Sequence, residues 1–122
     1  MSEDDDLVRL NHMLEACQTA QEFSLGKTRV SLNSDKMLTF ALVKAVEIVG
    51  EAANGISNEF QERHPEIPWP AIIGMRNRLV HAYFDINLDR LWDTVTVAIP
   101  VLLSQVEKLI PPAQNGVGNG DE

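Results

Sequence analysis

The residues Arg76-Asn77-Arg78-Leu79-Val80-His81-Ala82-Tyr83 bring two guanidiniums, an amide, an imidazole and a phenol into one short segment. Of these groups only the imidazole changes charge readily near neutral pH. Each guanidinium is a permanent cation whose flat fork matches a phosphate. A fixed cation, a proton carrier and a hydroxyl so close together suit chemistry on a phosphate ester. None of them is needed to hold helices together.

Apolar spacing predicts that this segment ends a helix running from about Pro70 to Tyr83 or Phe84, with Ala71, Ile72, Met75, Leu79 and Val80 on its core side. On that helix Asn77 and His81 share a face, and Arg78 borders it. Arg76 and His81, five apart, diverge by about 140° on an ideal helix. Three arrangements reconcile them: the long Arg76 side chain bends round, the helix is distorted near its end, or two copies of the motif meet across a dimer. The third makes a cationic cleft from a small motif. The chemistry would then be metal-independent RNA cleavage. His81 would serve as general base or acid and Arg76 would stabilise charge developing on the phosphate. The ribose 2′-hydroxyl, which DNA lacks, would attack. Asn77 would orient the imidazole or touch the phosphate, and Arg78 would add attraction. The plainer alternative pairs Arg76 with Glu47 or Glu51, sets His81 at a helix end and half-buries Tyr83 at a corner.

Three further helices are expected to position the motif. The first spans about Asp4 to Leu25, with Leu7, Leu10, Leu14, Cys17 and Ala20 or Gln21 inward, acids in its first turn and Gly26 as its stop. A polar connection from Lys27 to Asn33 leads to the second. That helix starts at Asn33 or Ser34 and runs to about Phe60 on the stripe Leu38, Leu42, Ala45, Val49, Ala52, Ile56 and Phe60. Gly50, Ala52 and Ala53 allow close helix approach. The prolines of His64-Pro65-Glu66-Ile67-Pro68-Trp69-Pro70 break the pattern, with Trp69 plugging the core and His64 facing solvent. The fourth helix follows a cap at Asn87, is kinked or split by Pro100 and stops at Pro111-Pro112. Short loops between long amphipathic segments imply an all-α, up-and-down antiparallel four-helix bundle. Leftover apolar surface would pair two copies as a homodimer.

With 122 residues and 44% hydrophobic content, the chain suits one helical domain over 1–112, followed by a glycine-rich tail, 113–122, expected to be disordered. No apolar run is long enough for a bilayer, and the acidic N-terminus is unlike a signal peptide, which makes the cytoplasm the default compartment. A single cysteine excludes an internal disulfide and a cysteine zinc site. Cys17 reads as a small core residue. The net charge of −8 opposes nucleic-acid binding at first sight. Six of the 18 acids lie at the two ends, however, and the body carries 12 acids against 10 bases.

Ordered along the chain, Gly50-Glu51-Ala52, His64-Pro65-Glu66-Ile67-Pro68-Trp69, Gly74-Met75-Arg76-Asn77 and Val80-His81-Ala82-Tyr83 resemble the HepT-like branch of the HEPN superfamily. The resemblance covers about Leu7 to Leu109. Its pattern of arginine, four residues, histidine, one residue, tyrosine is intact at Arg76, His81 and Tyr83, with the usual polar residue at Asn77. The resemblance implies a helical homodimer with the motif at its cleft, and a toxin whose ribonuclease activity arrests growth without a cofactor. It also implies a cognate antitoxin, a minimal (MntA-like) nucleotidyltransferase that transfers AMP from ATP to Tyr83. Bulk and negative charge beside Arg76 and His81 would then block the cleft. A rival reading makes the chain a non-catalytic binding or regulatory subunit of the nucleotidyltransferase complex. A third makes it a purely structural helical dimer.

Overall fold

The computed structural model describes residues 3–82 and 85–111. Helix α1 (Glu3–Ser24) ends where Gly26 takes φ +76°, a left-handed conformation that costs glycine little. A single turn, α2 (Ser31–Ser34), lies within the expected polar connection. Helix α3 (Lys36–Asn54) begins one residue beyond the anticipated caps, because Asp35 accepts from the Leu38 amide. The expected continuous second helix is interrupted. Gly55 closes α3, and Ser57 caps a new helix, α4 (Asn58–Arg63), by accepting from the Phe60 amide. The buried carboxylate of Asp6 fixes this break. It accepts from the Ser57 amide at 2.8 Å and the Ser57 hydroxyl at 2.7 Å.

The proline segment returns the chain to the bundle. Trp69 is buried, and its indole Nε1 donates to the His64 carbonyl at 3.0 Å. His64 is half-buried, with its ring 4.4 Å from that of Phe60 and its Nδ1 3.4 Å from Glu66, so it is not simply solvent-facing. The expected third helix divides in two: α5 (Trp69–Ile73) and α6 (Met75–Leu79), separated at Gly74. Two short strands, β1 (Val80–Ala82) and β2 (Asp85–Ile86), pair antiparallel where helix was expected to continue. Asn87 then caps α7 (Leu88–Asp93) by accepting from the Arg90 amide. A wide π-helical turn, Thr94–Ala98, leads into α8 (Ile99–Leu109). It lies directly ahead of Pro100, which has no N–H for the preceding turn.

α1 packs against α3 and α8, and α3 also packs against α5 and α6. This is the all-α bundle, with four helical layers in chain order: α1, α3, α5–α6 and α7–α8. The core holds Leu10, Met13, Leu42, Val49, Leu79, Leu91, Ile99 and Leu102, all essentially without solvent contact. Each such side chain contributes about 1.5–3 kcal/mol of apolar burial. Met13 is fully buried while Leu7 and Leu14 are only partly so, because α1 is flanked on two sides. Ala71, expected inward, is exposed on the broken third helix. Gly50 permits the α3–α5 contact: a Cβ there would stand 3.1 Å from the Ile73 carbonyl oxygen. Cys17 is core, and burial pushes its thiol up to about 12. No described helix is long and apolar enough to cross a membrane.

Candidate active site

His81 does not stand on a helix. The β1–β2 pairing matches Val80 with Ile86 and Ala82 with Asp85, so two steps on β1 oppose one on β2. His81 is the extra residue of this bulge, a local device that turns a side chain out of the ladder's alternation. Val80, in an extended conformation (φ −117°, ψ 117°), ends α6, and the Asn87 amide donates to the Leu79 carbonyl at 2.8 Å. β-branched Val80 and Ile86 favour the extended backbone here. The helical-face relation expected between Asn77 and His81 is therefore replaced by one across the helix–strand junction.

The junction opens a groove of about 480 Å³ lined by Asn77, Arg78, Leu79, His81, Asp85, Asn87 and Arg90. Three of the anticipated residues, Asn77, Arg78 and His81, thus come together. His81 is exposed where it lines this groove. Arg78 is held in place, its Nη2 donating to the Ala71 carbonyl at 2.6 Å.

Arg76 lies outside this lining. Its Nε is 3.9 Å from Glu47 Oε2, and its Nη1 donates to Asn77 Oδ1 at 3.4 Å. Its side chain is 41% exposed, yet Nε itself is buried and makes no hydrogen bond. The plainer alternative thus holds in part, since Glu47 does face the arginine. Glu47 is shared with Lys44, whose ammonium it holds at 3.0 Å and whose pKa it raises. Tyr83 lies outside the described residues, as does the tail 113–122. Among the described residues no three of His, Cys, Asp and Glu cluster as a metal site.

A family model described as "Ribonuclease HepT-like" matches residues 13–109 of this chain. The chain belongs to the HepT-like family. It is 41% identical over 100 residues to a Thermococcus cleftensis protein named "Probable ribonuclease HepT", covering 82% of this chain and 91% of that one. A protein of Caldanaerobacter subterraneus subsp. tengcongensis named "Putative RNase" is 38% identical over 101 residues, covering 83% of this chain and 90% of its own. Another of that kind, from Methanocaldococcus jannaschii, is 36% identical over 107 residues, covering 88% and 98%. No solved structure matches.

Sequence reasoning about this HepT-like chain missed the strand pair, and with it the approach of Asp85 and Arg90 to His81. The signal was present. Val80, Tyr83, Phe84 and Ile86 are β-formers crowded into seven positions. Helical periodicity through Leu79 and Val80 masked it.

Proposed function

We propose that this HepT-like ribonuclease is a metal-independent endoribonuclease toxin in which Arg76 and His81 act on RNA. One observation carries the reading: the bulge turns His81 into an open groove that also holds Arg78, Asn77 and Arg90. An exposed imidazole beside fixed cations has both the proton capacity and the electrostatics that phosphodiester transfer requires.

The step balances without a co-reactant. The ribose 2′-oxygen forms a bond to phosphorus as its proton passes to a neutral imidazole of His81. The P–O5′ bond breaks, and the leaving oxygen takes a proton from an imidazolium or from water. The products are a 2′,3′-cyclic phosphate and a 5′-hydroxyl. Arg76 stabilises the charge that builds on the phosphoryl oxygens, and Asn77, bonded to Arg76, holds its guanidinium or reaches the phosphate. Arg78 attracts the substrate. Because Arg76 is not among the lining residues of the His81 groove, a second copy of the chain brings the two groups to one phosphate. The antitoxin is a nucleotidyltransferase, and AMP transferred to Tyr83 adds a negative phosphate that competes for the same cations.

The test is cleavage of RNA by purified protein in chelator, with His81→Ala as comparison. The expected result is loss of at least 100-fold in rate, cyclic-phosphate ends from the wild type and an unchanged circular dichroism melt. Equal cleavage by folded His81→Ala removes the enzymatic reading. The pairing of Arg76 with Glu47 favours the rival, a non-catalytic regulatory subunit. In that case neither protein cleaves RNA, while Tyr83 still accepts AMP.

A further inference from the structure

The groove beside His81 contains a cation that the motif does not include. Arg90, the third residue of α7, lines the same space as Arg78 and His81. Among the described residues no acid lies within ion-pair distance of its guanidinium. The adjacent Asp89 is held by Arg29 Nε at 2.7 Å, a bond linking the loop before α2 to α7. The Arg90 amide is fixed by Asn87 Oδ1 at 3.0 Å, so the backbone that carries this side chain is anchored. Most of the chain's other arginines are already engaged: Arg9 donates to the Asp5 carbonyl, Arg63 stacks on Phe60, and Arg78 donates to Ala71. Two arginines against one acid, Asp85, among the described lining residues make the groove a local reversal of the field of a protein with net charge −8.

The lining also defines what the groove reads. Its described lining residues are polar or charged apart from Leu79. Phosphate contacts come from Arg, Asn and backbone donors and carry no sequence information. Asp85 is the single acid among the lining residues.

We infer that Arg90 is a substrate-binding residue that grips the phosphate next to the scissile one in single-stranded RNA, without regard to base. The inference rests on the ribonuclease reading, but it concerns binding and is tested apart from cleavage. The probe is a set of 2′-O-methyl RNA homopolymers, which lack the attacking hydroxyl, titrated against the whole protein over a range of salt. Arg90→Ala is expected to weaken binding about tenfold and to lower the slope of log affinity against log salt by about 0.7. The loss should be alike for each homopolymer, and Arg90→Lys should restore the slope. Arg90 is exposed, so its replacement leaves the core intact.

Unchanged affinity and slope in Arg90→Ala would overturn the inference, as would a loss confined to one base. So would unchanged RNA binding combined with lost AMP acceptance from the nucleotidyltransferase, which would make Arg90 a protein-docking residue. The His81→Ala cleavage comparison judges the ribonuclease reading separately.

Discussion

Arg76 combines a buried Nε that lacks an acceptor with a carboxylate 3.9 Å away, too long for a hydrogen bond. A buried donor left without a partner costs about 1–3 kcal/mol. In the proposed mechanism the guanidinium shifts toward the phosphate, and a phosphate oxygen supplies the acceptor that Nε lacks in the free protein. Asn77 gives the guanidinium one long contact, which limits its swing without neutralising its charge. Tyr83 has a different expected role, as an acceptor of modification more than as a catalyst. Tyr83→Phe is expected to cleave RNA at close to the wild-type rate while taking up no labelled AMP from ATP and the nucleotidyltransferase. Labelling of that variant at the wild-type level would remove Tyr83 as sole acceptor. The two readouts keep catalysis and control apart at one residue.

At the level of elements, the α3–α4 break depends on Asp6, a buried carboxylate reaching 51 residues along the chain to Ser57. Asp6→Ala removes both bonds and leaves the Ser57 amide without its acceptor. We expect a loss of about 2–4 kcal/mol of stability, measured by urea denaturation, with the dependence on urea unchanged. A loss below about 0.5 kcal/mol would show the carboxylate to be incidental, as for an ordinary surface substitution. Such long-range caps explain where sequence reading stopped short. The stripe from Leu38 to Ile56 locates α3 correctly, and Asn87, Gly26 and Trp69 act as expected, because each signal is local. The break at Ser57 was not legible, since the apolar spacing continues through Ile56 to Phe60 and the group that decides the matter is in another helix. The candidate site was legible only in part, since Arg76 lies outside the groove lining and Tyr83 outside the described residues. Asn77, Arg78 and His81 do meet, but through a bulge that helical spacing cannot represent, and Arg90 joins them only when α7 folds back.

At the scale of the molecule, several of the exposed apolar side chains belong to α1 and α3. Val8 of α1 and Ile48 of α3 border one groove, and Met37 and Phe40 extend the apolar surface along α3. Such a surface suits pairing of two copies, as the proposal requires if Arg76 and His81 are to share a phosphate. Mixing Arg76→Ala with His81→Ala subunits, after exchange, should therefore regain roughly a quarter of wild-type cleavage, because half the dimers are mixed and each has one complete site. Absence of any gain, with exchange verified by native mass spectrometry, would place both groups in the same subunit. The strand pair has a further consequence. Two strands this short have little stability of their own, so the pair is expected to open locally before the helices unfold. Heat tolerance and catalytic fitness are therefore expected to separate: damage confined to the exposed positions of the β1–β2 ribbon should leave a respectable melting curve, and thermal screening alone would pass a dead enzyme.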